Sequence, residues 1–230
     1  MRTKAAANRG DRLNPLPNSR NYWLLSRMRD CYVGLIEKYL AGRSTKRVID
    51  YGCGNMPYRP LFTDAEYLGA DFPGNELAEI MLEASGRISV DDAAADVVIS
   101  SQVLEHVADV PAYLAECRRV LRSDGLLLLS THGVWKYHPD PCDFWRWTCD
   151  GLKKTIEEGE FEVLEMHGIL GPEATALQLL QDAASARVSK SWKKHYFRYM
   201  QWRIRRADQR CTPEARSRDA CVYVVVAKPA

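Results

Sequence analysis

The sequence predicts an α/β fold: a largely parallel sheet whose strands are joined by helical crossovers. Three observations predict it. Short apolar runs recur near residues 47–51, 67–71, 87–90, 95–100 and 125–131, with the length of buried strands. Stretches with helical spacing of apolar side chains lie among them, and strands that alternate with helices pair in parallel. The first run, Val48-Ile49-Asp50-Tyr51, passes directly into the tight turn Gly52-Cys53-Gly54, at the strand end where open α/β sheets hold ligands.

Each element has a local reason. Residues 1–18 are polar, basic and proline-containing, and read as a mobile arm ahead of one domain over 19–230. Met28, Tyr32, Leu35, Ile36 and Tyr39 recur at helical spacing, and Gly42 is a fitting stop because it enters left-handed backbone without strain. Tyr67-Leu68-Gly69-Ala70-Asp71 is the second strand and ends in an acid about 20 residues past the glycine turn. Ala95-Asp96-Val97-Val98-Ile99-Ser100 is a buried-strand pattern. A helix over 110–122 follows, with Pro111 in its first turn, where no N–H is missed. Leu121-Arg122-Ser123-Asp124-Gly125 then leads into the strand Leu126-Leu127-Leu128-Leu129-Ser130. Beyond residue 132 come an aromatic loop over 132–148, a helix over 149–158, a strand over 161–168, a helix from Pro172 to about Ala186, and a basic helical insertion over 187–210. Val222, Val224 and Val226 mark a closing strand over 219–228.

Composition narrows the classes. A chain of 230 residues suits one domain with a sizeable core. Apolar content of 46% and charge of 27% are those of a soluble globular protein. A net charge of +2 gives no global pull toward nucleic acid. No apolar run approaches the roughly 20 residues that span a bilayer. The basic N-terminus lacks the apolar core of a signal peptide. Seven cysteines, an odd number without any C-x-x-C pair, fit a reduced cytoplasmic protein rather than a disulfide scaffold.

The glycine loop discriminates further. A dinucleotide site wants G-x-G-x-x-G, but here the loop reads Gly52-Cys53-Gly54-Asn55-Met56-Pro57. Pro57 therefore disfavours a dehydrogenase. A Walker loop needs lysine followed by Ser or Thr, and the loop carries neither. What remains is a close backbone approach at Gly52 and Gly54, and a carboxylate, Asp71, placed for the two hydroxyls of a ribose.

Four pieces in order, V-I-D-Y-G-C-G, Y-L-G-A-D, A-D-V-V-I-S-S-Q-V-L-E-H-V and L-R-S-D-G-L-L-L-L-S, resemble a class I S-adenosylmethionine (SAM)-dependent methyltransferase of the small-molecule type. The resemblance implies a Rossmann-like seven-stranded sheet, mostly parallel, with the last strand inserted antiparallel beside the fifth and helices on both faces. It implies SAM as cofactor and S-adenosyl-L-homocysteine as product. Gly52, Cys53 and Gly54 would admit the methionyl part, with Asp50 beneath them, Asp71 on the ribose, Phe72 against adenine, and Ser101 and Gln102 facing the methionyl and methyl groups. For Asp50 a buried hydrogen-bonding role stands beside ligand contact. The chain departs from the family at Met56, where a third glycine is common, and at Ser85-Gly86, where an acid often reads the adenine amine.

The loop after the fifth strand carries titratable groups among aromatics. His138-Pro139-Asp140-Pro141-Cys142-Asp143-Phe144-Trp145-Arg146 is similar to an H-x-x-P-x-D-[YFW]-W-R segment of methyltransferases like those of bacterial polysaccharide and glycolipid gene clusters. Transfer to a hydroxyl calls for a base, and His138 is the first choice because imidazole titrates near neutral pH. Asp140 and Asp143 are second choices, or orient the histidine. Against this stands a packed lid, with Asp143 and Arg146 as a structural pair and Trp145 and Trp147 in a core. His132, His138, Cys142 and Cys149 match no usual zinc spacing, so no metal is expected. His106, after Glu105, reads as a helix-capping or packing residue.

The stretch 187–210 holds nine Lys or Arg and one acid, Asp208, with Trp192, Tyr196, Tyr199, Met200 and Ile204 at helical spacing. Three readings compete: a cover helix with a solvated basic face, a lid for an anionic acceptor, and a helix in peripheral contact with a membrane surface. The favoured function is methyl transfer to a small-molecule or glycan-linked acceptor, at a hydroxyl. The rivals are an RNA or other nucleic-acid methyltransferase and a catalytically silent SAM-binding subunit. Nucleic acid is disfavoured because Ser101-Gln102-Val103-Leu104 stands where base-amine enzymes carry Asn/Asp-Pro-Pro-aromatic.

Overall fold

In the computed structural model, residues 12–230 are described. Most of the expected N-terminal arm, residues 1–11, lies outside them. Its last part is held: Leu13 packs against the core and its carbonyl accepts from Arg29. A helix, α1 (Tyr22–Leu40), buries Leu24, Met28, Tyr32 and Leu35 along one stripe, and Gly42 follows with φ of +77°. The strands are β1 (Arg47–Tyr51), β2 (Glu66–Asp71), β3 (Ile80–Met81), β4 (Ala95–Ser101), β5 (Leu121–His132), β6 (Phe161–Ile169) and β7 (Val222–Pro229). The remaining helices are α2 (Val110–Val120), α3 (Cys149–Glu158), α4 (Pro172–Ala184), α5 (Lys193–Arg210) and α6 (Pro213–Arg218).

The seven strands form one sheet in the order β3-β2-β1-β4-β5-β7-β6. Pairing is parallel from β3 to β5, and β7 inserts antiparallel between β5 and β6. β7 is buried along almost its whole length, which is why its valines run without polar alternation. Helices cover both faces. One core layer holds α1 with Ile204 and Ala207 of α5; the other holds α2 and α3 through Tyr113, Leu114, Cys117, Leu152 and Ile156. Asp109 caps α2 by accepting from the Ala112 N–H, and Thr148 caps α3 through Gly151.

Two expected elements differ. The third strand is Ile80–Met81, not residues 87–90, where Ile88 makes only one antiparallel bridge to Leu82. Side chains of α2 take the backbone groups there. Arg119 donates to the Ile88 and Val90 carbonyls, and Glu116 accepts from the Ile88 N–H. The segment Leu121–Gly125, expected to lead into a strand, is part of β5 itself, because Leu121 pairs with Ala95 across a register shift. α6 has no counterpart in the sequence expectations.

Parallel pairing from β3 to β5 brings the carboxyl ends of β1, β2, β4 and β5 to one edge. The strand order reverses between β1 and β4, and ligands of open α/β sheets bind at such a switch point.

Candidate functional site

The glycine turn leaves β1 on left-handed backbone, with φ of +72° at Gly52 and +53° at Gly54. A Cβ at Gly52 would lie 2.6 Å from Cγ2 of Val103, so this position admits glycine alone. Met56, where a third glycine was absent, also takes positive φ (50°), and its side chain is buried. Asp71 ends β2 beside the turn. One carboxylate oxygen accepts from the Gly54 N–H at 3.1 Å and from Asn75 at 2.7 Å; the other accepts from the Phe72 N–H at 2.9 Å. Asn75 also donates to the Gly54 carbonyl at 2.7 Å, tying the two loops together. Sequence reasoning missed Asn75; the Pro73-Gly74-Asn75 turn signal was its only trace. Phe72 stands outward, 49% exposed, above this pair.

Asp50 and Cys53 turn inward. The Asp50 carboxylate is buried and accepts from the Tyr67 hydroxyl at 2.6 Å. Burial pushes its pKa up to about 7, against the Tyr67 hydrogen bond. The Cys53 sulfur packs under Gly69, where an added Cβ would meet it at 2.7 Å. Ser101 closes β4, its hydroxyl 3.1 Å from that of Ser130. Gln102 holds φ of +60° and donates from Nε2 to the Ser130 hydroxyl, while its N–H bonds the Ser130 carbonyl. A non-glycine residue kept left-handed at a sheet edge stores strain. At Ser85-Gly86, the Gly86 carbonyl accepts from the Tyr51 hydroxyl.

The loop after β5 is fastened to the turn after β4. Glu105 sits in a 3-10 turn over Leu104–His106 and is fully buried. Its carboxylate accepts from the Thr131 hydroxyl at 2.9 Å and from Nδ1 of His132 at 2.6 Å. Its carbonyl accepts the N–H groups of Phe144 and Trp145. Burial by itself raises the Glu105 pKa, but the His132 bond and charge outweigh it and hold the carboxyl below its ordinary value. Sequence reasoning gave neither Glu105 nor His132 a role in the site, since their positions lie 27 apart.

Asp143 lies inside a clamp. Arg146 donates to both of its oxygens at 2.6 Å and also to the carbonyls of Trp135 and Lys136. This bidentate pair holds the Asp143 pKa far below the usual carboxylate range. The His138 N–H donates to Asp143 at 2.8 Å, which fixes the histidine backbone. The His138 ring lies between those of His132 and His106, at centroid distances of 4.8 and 5.0 Å. Burial pushes its pKa below 6.5, His132 adds to this, and Asp143 opposes it. His106 bonds the Cys142 carbonyl and so ties the loop down. Asp140 is exposed, ahead of a cis proline. Trp145 donates to the Val107 carbonyl, and Trp147 carries its N–H to the His132 carbonyl. The loop thus brings His138, Asp143 and Arg146 together with Glu105 and His132, and leaves Asp140 at the rim.

Among the described residues, two groups have ligand atoms within 4.8 Å of one another: Glu105, His132 and His138, and His106, His138 and Asp143. In the first the carboxylate already accepts from Thr131 and His132, and in the second it is paired with the Arg146 cation. Cys142 and Cys149 join neither group. A cavity of about 340 Å³ lies elsewhere, between α1 and β6; its Lys38 pairs with Glu165 and its Arg216 with Asp208.

A family model described as a methyltransferase domain matches residues 24–161. A probable S-adenosylmethionine-dependent methyltransferase of Mycobacterium tuberculosis is 31% identical over 142 residues, 56% of this chain and 50% of that protein. A ubiquinone biosynthesis O-methyltransferase of Cereibacter sphaeroides is 39% identical over 100 residues, 37% of this chain and 40% of its own. The chain spans about half the length of the curated relatives it matches. Among solved structures, phosphoethanolamine N-methyltransferase 2 of Haemonchus contortus, in complex with S-adenosylhomocysteine, aligns with a TM-score of 0.56 at 13% identity, over 87% of this chain and 53% of that one. The MccD protein aligns with a TM-score of 0.56 at 15% identity, over 89% and 99%. At these identities the two structures share the fold alone.

Proposed function

The chain belongs to the methyltransferase-domain family, and on that premise we propose that it transfers a methyl group from SAM to a hydroxyl of a small-molecule or glycan-type acceptor. The products are S-adenosyl-L-homocysteine, the methyl ether and a proton. The observation that carries this reading is the meeting, at one sheet edge, of the Gly52–Gly54 turn and Asp71 with an aromatic loop that holds His138.

The edge fits the cofactor. Gly52 and Gly54 bring left-handed backbone with no side chain of its own to the edge, Asp71 keeps a part-exposed carboxylate beside it, and the Phe72 ring stands open for adenine. SAM supplies an activated methyl on a sulfonium, so the protein mainly positions, dehydrates and removes a proton. Asp71 takes the ribose hydroxyls. Ser101 and Gln102 bound the methionyl side. Asp50 and Cys53 support the turn from below, and an arriving ammonium group favours the charged form of Asp50. His138 takes the acceptor proton; burial and His132 lower its pKa and so favour the neutral ring that can accept one. Asp143 and Arg146 position it. Oxygen as the methylated atom draws support from the O-methyltransferase among the relatives.

The test is calorimetric titration with S-adenosylhomocysteine on the wild type and Asp71→Ala. The wild type is expected to bind in the micromolar range. Losing a charge-assisted ribose contact should weaken binding about 10- to 100-fold, roughly 1.5–3 kcal/mol. A wild type that fails to bind removes the cofactor assignment. Equal binding by the variant removes Asp71 from the site.

A further inference from the structure

We propose that the outward face of α5 docks the chain on an anionic membrane surface. The helix is two-faced. Met200, Ile204 and Ala207 form a buried stripe. Opposite it, at spacings of three and four, run Trp192 just ahead of the helix, His195, Tyr199, Trp202 and Arg206. A helix rises about 1.5 Å per residue, so this stripe is roughly 20 Å long. Trp192 is 65% exposed, Tyr199 55% and Trp202 53%. Three large aromatics standing in water along one line are unusual for a helix that only covers a sheet.

The charge around the stripe has one sign. Lys194, Arg198 and Arg205 flank it on one side, Arg203 and Arg210 on the other, and all five are exposed. The only acid of the helix, Asp208, is turned inward, buried, and paired with Arg216 at 3.0 Å. A basic, weakly hydrophobic helix with a line of aromatic side chains is the form that lies in a lipid headgroup region. There the rings enter the interface and the cations meet anionic headgroups.

The ring geometry favours lipid over nucleic acid. Single-stranded nucleic acid needs open aromatic faces on which bases stack. Here Tyr199 and Trp202 stack on each other at 6.2 Å, Arg203 lies over Tyr199 at 6.0 Å, and Arg206 over Trp202 at 5.1 Å. These contacts occupy ring faces on which bases would have to stack. The surface also has a mechanical link to the loop that holds His138. α5 packs on α4, and Asp182 of α4 pairs with Lys136 of that loop at 2.7 Å. The docking does not depend on the methyl-transfer reading.

The test is flotation of the full chain with vesicles of phosphatidylcholine alone and of phosphatidylcholine with about one-quarter phosphatidylglycerol. The chain is expected to float with the anionic vesicles and not with the neutral ones, and added salt should weaken binding. The double variant Trp192→Ser/Trp202→Ser keeps the charge. It should bind the anionic vesicles at least about tenfold more weakly with an unchanged circular dichroism spectrum, because both residues face solvent. Failure of the wild type to float overturns the proposal. So does equal binding by the double variant, which would reduce the effect to bulk charge. Tighter binding to a single-stranded RNA oligomer than to anionic vesicles, lost in the double variant, would assign the face to nucleic acid instead.

Discussion

Replacing Glu105 by alanine is expected to lower the stability of the fold by about 3 kcal/mol, a fall of roughly 6–12 °C in Tm for a chain of this size. Glu105 is fully buried and accepts from both Thr131 and His132. Alanine leaves those two donors without their acceptor in a place water does not reach, and each orphaned buried donor costs about 1–3 kcal/mol. The change also frees a ring that stacks on Trp135 at 5.3 Å, so the loop after β5 should loosen. Denaturant unfolding of the two proteins measures the difference, and a loss under about 1 kcal/mol would sink the idea that this network holds the loop. A pH signature accompanies it. The folded Glu105 titrates below its ordinary 4.5. Its contribution is therefore full above that value and is lost as pH falls through the lower, folded value. The variant should lose less stability than the wild type over that acid range.

Replacing His138 by alanine is expected to lower turnover by about 10² and to leave binding of S-adenosylhomocysteine unchanged. The ring lies among His132, His106, Asp143, Arg146 and Glu105 rather than against the glycine turn. Removing a positioned base costs catalysis without costing cofactor affinity. Because burial and His132 push the His138 pKa below 6.5, its basic form persists to lower pH than in an ordinary histidine. The acid limb of turnover in the wild type should accordingly fall below pH 6.5, and it should disappear in the variant. The assay is transfer of labelled methyl from SAM to a pool of hydroxylated small molecules and glycans, followed by a pH profile on whichever acceptor is labelled. Unchanged turnover would take His138 out of the mechanism and turn attention to His132, whose ring Glu105 already orients.

Much of the glycine-turn side of the edge was legible in the chain. The run from Val48 to Gly54 reads as strand and turn from local rules alone, and the positive φ values at Gly52 and Gly54 are what those glycines were for. Asp71 was legible as well, because a strand end at a known distance from the turn leaves it little freedom of place. The acceptor side was legible only as composition. In sequence His138 is the first choice for a base, and Asp140 and Asp143 are second choices that nothing local separates. The Arg146 clamp engages both oxygens of Asp143, and the loop path leaves Asp140 exposed. Nothing local announces that Tyr67 reaches the Asp50 carboxylate, or that Arg119 takes the carbonyls of Ile88 and Val90 and removes an expected strand.

By itself, then, the sequence determined the class of fold, the order of its main elements, the glycine turn and the acid at the end of the second strand. These depend on backbone conformation and on apolar periodicity, which act over a few residues. Only the tertiary structure decided which titratable groups meet: Glu105 with His132, His138 between two histidines, Asp143 inside Arg146. It also decided that the aromatic line of α5 faces outward while Asp208 faces in. Those outcomes depend on how distant segments settle against one sheet, and contacts between distant segments leave no mark on local spacing.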